Sequence, residues 1–189
     1  MAARAVGGDA AIHSAIGAAI HDYASVEGAQ VDLIVKLLSV DIIQASTIFH
    51  SVQNVRARND MIAHLVSHKY EHAFDKYWTG CAKFLSNLAS FRNAIVHWHP
   101  FVSLYVNPTT GELVPVNSIG NPKYAKGNVP LELADLSPFG HDCGYIKNIL
   151  VEFAAFLPTF KPGVALPDKY RRPTIRPNKA VLRRQIPKK

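Results

Sequence analysis

Residues 91 to 98 read Phe-Arg-Asn-Ala-Ile-Val-His-Trp, and three of them, Arg92, Asn93 and His97, have side chains suited to phosphate-ester chemistry. A guanidinium offers phosphate oxygens a fork of N–H donors, and an imidazole takes up and releases protons near neutral pH. An amide such as that of Asn93 can orient either one. Together they supply a cation, an orienting group and a proton carrier, which is what cleavage of a phosphodiester without a metal requires.

These residues act together only if an element holds them, and the surrounding spacing predicts a helix. Over Tyr70 to Trp98 the apolar residues Phe74, Tyr77, Cys81, Phe84, Leu88, Phe91, Ile95 and Trp98 recur at steps of three and four, so one face is buried nearly end to end. Pro100 ends the run. At about 100° per residue, Phe91, Ile95 and Trp98 point into the core, and Asn93 and His97 share another face. Ser86, Ala89 and Ser90 extend that face, and all are small enough to admit a substrate or a second helix. Arg92 precedes His97 by five residues, which puts the two about 140° apart around the axis. Either the long Arg side chain reaches around, or a partner protomer completes the site.

The rest of the chain predicts an all-α fold of four or five helices. Apolar spacing gives a long first helix from about Asp9 to Leu38, weakened at Gly28. Asp41 is the expected N-cap of a second segment through Phe49 and Val52, and a break near Asn54 leads into Asn59 to Val66. After Pro100 the period changes. Phe101 to Val106 and Glu112 to Val116, joined by Asn107-Pro108-Thr109-Thr110-Gly111, predict a small β-hairpin inserted at about 101–117. Asn117 to Pro130 is expected as loop, and a last helix runs from Ser137 or Asp142 to Leu157. The helical domain is thus placed at 1–157. Residues 158–189, with six prolines, are expected to be a disordered basic tail.

Charge agrees with that division. The tail holds ten Lys and Arg against Asp168, a net of +9, whereas the other 157 residues carry 11 basic and 13 acidic side chains, a net of −2. Such a tail can hold a polyanion by counterion release without reading its sequence. Cys81 and Cys143 are far apart in apolar surroundings and are expected to be reduced, which makes a cytoplasmic location the default. Asp9, His13 and His21 interrupt the Ala-rich N-terminus and spoil it as a signal peptide. No stretch of 18 apolar residues is present, so no membrane span is expected.

The segment Arg92-Asn93-Ala94-Ile95-Val96-His97 resembles the signature of the HEPN superfamily, helical domains that carry an Arg, about four to six residues and a His, often with a polar residue directly after the Arg. The resemblance covers roughly residues 10 to 157. It implies a homodimer in which two copies of the motif face each other and cleave RNA without a metal, in a defence or toxin-antitoxin setting, under an antitoxin or other regulatory protein. Arg92 would hold the scissile phosphate, His97 would act as general acid or base, and Asn93 would orient one of them. The RNA 2′-hydroxyl would be the nucleophile. In one branch of the family a Tyr stands two residues after the motif His and is the target of a silencing nucleotidyltransferase. Here that position is His99, so silencing of that kind is not expected, and His99 either supports His97 or packs at the helix end.

With nine Arg and nine His in the chain, chance alone supplies about one such match, and a second does occur, Arg58 to His64. Its plain reading is a helix surface with Met61, Ile62 and Leu65 turned inward, while Arg56 and Arg58 can add to a phosphate-binding surface. Glu27 is expected either as a buried partner of Arg92 or His97 or as an exposed charge. His64, His68 and His72, spaced by four, form a metal ridge only on an unbroken helix and read better as solvated. No cofactor and no metal are expected. The rival reading is a noncatalytic helical module that dimerises or binds a partner, with a nucleic-acid-binding tail.

Overall fold

A computed structural model describes residues 5–97, 99–120 and 131–171. Five helices of ten residues or more form the body: α1 (Ala5–Leu38), α2 (Ile42–Ser51), α3 (Val55–Lys69), α4 (Asp75–His97) and α5 (Leu133–Phe156). Between α4 and α5 lies a small antiparallel sheet, β1 (His99–Val106), β2 (Leu113–Gly120) and the two-residue β3 (Leu131–Glu132), in the order β1-β2-β3. The chain is therefore mostly helical with a hairpin insertion.

Long α1 is the spine. Its residues Ala19, Tyr23, Val26, Gln30, Leu33 and Leu37 are buried at steps of three and four. It packs along α5 and also meets α2, α3 and α4. Gly28 does not break it. The Asp41 side chain accepts from the Gln44 backbone N–H at 2.8 Å, and the Gln44 side chain accepts from the Asp41 N–H at 3.3 Å, a reciprocal cap that starts α2. Asn54 caps α3 by accepting from Arg56 and Ala57.

The α4 stripe is buried from Phe74 through Ile95, and a second row, Trp78, Leu85 and Ala89, is buried as well, since α4 packs against α3, α1 and α5. The helix starts at Asp75 rather than Tyr70. Glu71 and His72 adopt φ of +49° and +64°, and Asp75 takes hydrogen bonds from Ser67 and His72 at the new helix start. Trp98 lies outside the described residues.

The hairpin pairs Val106 with Leu113 and His99 with Gly120. Asn107 Oδ1 accepts from the Thr109 and Thr110 N–H groups, and Gly111, at φ +71°, closes the turn. Strand β2 continues beyond Val116, where a loop was expected, because Ser118 and Ile119 pair with β3 and are buried in the core. Helix α5 begins at Leu133, ahead of Pro138, with the Asp135 carboxylate accepting from the Glu132 N–H at 2.8 Å.

The packed body also runs past residue 157, where the sequence reading ended it. A turn at Leu157–Thr159 leads to α6 (Asp168–Arg171), and Tyr170 is 3% exposed. Its ring stacks on Phe156 with centroids 4.1 Å apart and meets Phe74, Tyr77 and Phe153 edge-on or tilted. The expected disorder of residues 172–189 lies outside the described residues. Among the described residues no helix is long and apolar enough to cross a membrane.

Candidate functional site

Helix α1, the α2–α3 junction and the C-terminal half of α4 enclose a cleft of about 590 Å³. Its lining residues include Arg58 and Arg92, Glu27, Tyr23, Gln53, Asn54, Ser86, Ser90 and Asn93, and Arg56 is at its edge.

Local structure fixes Arg58 firmly. Val52 leaves helix α2 in an extended conformation, and Asn54 restarts the chain as α3. Arg58 then sits in the first turn of α3 and donates from Nη1 to Glu27 Oε1 at 2.6 Å and from Nε to the Val52 carbonyl. Its guanidinium also lies 4.4 Å from the Phe49 ring centroid. The Arg58 and Glu27 side chains are 13% and 24% exposed, so water screens the pair only partly. Arg56, two residues earlier and on the other side of the helix, is 90% exposed and reaches Asp60 only at 3.9 Å.

Arg92 enters from α4. Its Nη1 donates to Asn93 Oδ1 at 3.2 Å, and its guanidinium carbon lies 5.9 Å from the Tyr23 ring centroid. Arg92 Nε is buried without a hydrogen-bond partner among the described residues. Burial pushes the Tyr23 phenol up to about 12, helped by the Glu27 carboxylate and opposed by Arg92 and Arg58. The phenol therefore stays a neutral O–H, a donor available to the cleft.

Behind the cleft lies a buried polar knot. Asn59 is 3% exposed and Gln30 4%. Gln30 Nε2 donates to Asn59 Oδ1 at 3.2 Å, while Asn59 Nδ2 donates to the Ala82 carbonyl and to Ser86 Oγ, both at 3.3 Å. Trp78 Nε1 donates to the Asn59 backbone carbonyl at 3.0 Å. These bonds tie α1, α3 and α4 together at the floor of the cleft.

The structure brings Arg92, Asn93, Glu27 and Arg58 into one cleft, but His97 does not line it. His97 is exposed at the end of α4, on a face with Ser86, Ser90 and Asn93, and has no hydrogen-bond partner among the described residues. Five residues of helix separate it from Arg92, and that offset keeps the two apart within one chain. Ala89, expected on that small face, is 5% exposed and turned inward, while Val96 beside His97 is exposed. Glu27 pairs with Arg58 rather than with Arg92 or His97. The His99 residue opens β1, and the expectation for its side chain lies outside the described residues.

His64 and His68 are exposed on α3, and His72 lies beyond the end of that helix, so the ridge of three is interrupted. Cys81 and Cys143 are buried and unpaired, with burial pushing both thiols up to about 12, far from a reactive thiolate. The sequence reading missed Tyr23, which looks like an ordinary stripe residue of α1, and it missed the pairing of Glu27 with Arg58. The available signal was weak, a carboxylate and an Arg 31 residues apart. Comparison with protein-family models, with curated proteins and with solved structures gives no match to this chain.

Proposed function

We propose that this protein is a metal-independent endoribonuclease of the HEPN type, working in the cytoplasm as a homodimer within a defence or toxin-antitoxin system. The observation that carries the reading is the division of labour along one helix. Arg92 and Asn93 edge a cleft that Arg58 also lines, and His97 stands exposed one turn beyond Asn93 with no hydrogen-bond partner among the described residues. Such an arrangement is half of a site. A second α4 laid against the small face of Ser86, Ser90, Asn93 and His97 would set the His97 of one copy near the Arg92 of the other.

The chemistry then follows from the side chains. Arg92 holds the non-bridging oxygens of the scissile phosphate and offsets the charge that builds on them in the transition state. One His97 removes the proton of the RNA 2′-hydroxyl, whose oxygen attacks the adjacent phosphorus. The other His97 gives a proton to the departing 5′-oxygen. The products are a 2′,3′-cyclic phosphate and a 5′-hydroxyl, and the two imidazoles exchange protonation states.

The test is cleavage of single-stranded RNA in the presence of EDTA, with the product ends identified. His97→Ala and Arg92→Ala should each lower the rate by about 10²- to 10⁴-fold without changing helicity or dimer mass. Undiminished cleavage in both variants sinks the assignment. A stable dimer that cuts no RNA would instead make the same face a docking surface of a noncatalytic module. Removing residues 172–189, and leaving Tyr170 in place, should lower RNA affinity and its salt dependence while some turnover persists.

A further inference from the structure

Half of the large apolar side chains that stand exposed among the described residues belong to the inserted hairpin. Val102, Leu104, Val106 and Leu113 are between 56% and 65% exposed. In the register of β1 with β2, Val106 stands opposite Leu113 and Leu104 opposite Pro115. These residues and Val102 therefore share one face of the ribbon, and no charged side chain interrupts it. The sheet order leaves β1 at the edge, with no strand on its outer side among the described residues.

Backbone geometry decides which groups that edge presents. The Asn107 N–H donates to the Glu112 carbonyl at 2.8 Å, so Asn107 bonds across the ribbon. By alternation Tyr105 and Ser103 also bond toward β2, whereas the N–H and C=O groups of Val106, Leu104 and Val102 point away from it. Pro115 fits this phase, because opposite Leu104 no N–H is needed toward β1. The outer edge is thus a row of free donors and acceptors on the same three residues whose apolar side chains are exposed. Natural sheets protect such an edge with charge, proline or short length. Strand β1 has eight residues and no Lys, Arg, Asp or Glu, and its one proline, Pro100, stands at the base.

We infer that the β1 edge pairs antiparallel with β1 of a second copy of this chain, about a two-fold axis at Leu104, so that one sheet runs through both protomers. A second copy is the occupant because the edge is complementary to itself. With the axis there, Leu104 lies opposite the partner's Leu104, and Val102 lies opposite the partner's Val106. Every such pair exchanges both backbone bonds, since all three residues present their groups outward. The same pairing sets Leu against Leu and Val against Val on one face, with no like charges to oppose it. An axis moved by one residue, to Ser103 or Tyr105, would bring together groups already bonded to β2. The inference stands apart from the ribonuclease reading, since it uses neither Arg92 nor His97 and needs no contact through the α4 face.

Cysteine cross-linking of the full chain reads this register. Leu104→Cys places two thiols opposite each other with Cα atoms about 5.5 Å apart, within the span of a disulfide. Val106→Cys, at a side chain nearly as exposed, places them four residues apart along the strands, about 14 Å, which no disulfide bridges. Native Cys81 and Cys143 are buried and give an unreactive background. Under mild oxidation Leu104→Cys should yield at least about tenfold more covalent dimer than Val106→Cys. In hydrogen exchange the Val102 and Val106 amides of the unaltered chain should gain protection as concentration rises. Leu104→Pro removes only an outward N–H, so it should abolish that gain and leave helicity unchanged. Adding His97→Ala to Leu104→Cys should not alter the yield, which separates a failure of this pairing from a failure of the cleavage reading. Equal yields from the two cysteine variants, no dimer from Leu104→Cys, or protection independent of concentration overturns the inference; the last two outcomes together leave the edge to a strand of a different protein.

Discussion

Asn59→Ala should be among the most destabilising single changes that leave the apolar core intact. The side chain is 3% exposed and makes three hydrogen bonds, one with Gln30, one with the Ala82 carbonyl and one with Ser86. Each intramolecular hydrogen bond contributes about 1 kcal/mol net, but these are at the long end, 3.2 to 3.3 Å, so about half of that is a fairer share. The larger cost is on the other side of the bond. Gln30 is 4% exposed and its amide is left without Asn59 in a place water reaches poorly, a penalty of about 1–3 kcal/mol. The sum is about 2.5–4.5 kcal/mol. For a chain of this size that corresponds to a fall in Tm of about 5–12 °C.

Urea titration followed by tryptophan fluorescence is a suitable assay, because Trp78 donates to the Asn59 backbone carbonyl and reports on this junction directly. The double variant Gln30→Ala with Asn59→Ala should cost less than the two single changes added together, by about 1 kcal/mol, because removing one partner already frees the other. A loss below about 1 kcal/mol for Asn59→Ala, or strict additivity in the double variant, would refute the claim that this knot holds α1, α3 and α4 in place.

Three further outcomes can be measured on the same protein. Gly28→Ala should raise stability by about 0.5–1 kcal/mol in thermal melts, since Gly28 is an exposed position inside α1 and an added Cβ meets nothing within 4 Å. Tyr170→Ala should cost about 3 kcal/mol in denaturant titrations, because it empties an aromatic site at 3% exposure, whereas a disordered position there would cost nothing. The Ser67 hydrogen bond, with a smaller contribution from His72, holds the Asp75 carboxyl below its usual range, so this group adds stability above the carboxylate's unfolded pKa and loses it as pH falls through the lowered folded value. Ser67→Ala should therefore raise the Asp75 pKa in an NMR titration and flatten the acid limb of the stability profile.

The parts of this fold written in local spacing were legible in the sequence. The α4 stripe was readable because seven consecutive anchors, Phe74 to Ile95, repeat at three and four, and the caps at Asp41 and Asn54 were readable because capping is a contact between near neighbours. Long-range contacts were not. Tyr170 sits in a basic, proline-rich stretch whose average composition conceals one aromatic anchor, and its neighbours come from the turn before α4 (Phe74), from α4 (Tyr77) and from α5 (Phe153 and Phe156). Helix α5 starts before Pro138 because a cap at Glu132 and Asp135 outweighs the one hydrogen bond that the proline cannot make.

The candidate site divides in the same way. Asn93 and His97 on one face follow from a four-residue step, and the offset of Arg92 from His97 follows from a five-residue step. The cleft does not follow from any local rule. It depends on how α1, α3 and α4 cross, which brings Glu27 against Arg58 and Tyr23 near Arg92.

The bond between Glu27 and Arg58 also bears on how this chain can change over generations. Each side chain is largely enclosed, so losing either one strands the other as a charge that water only partly reaches. A lineage could pass through such a single loss only at a cost in stability, whereas replacing both at once, or exchanging their signs, avoids it. Descendants of this sequence should therefore keep positions 27 and 58 matched or alter them as a couple, and their joint variation would be the record that this contact leaves in inheritance.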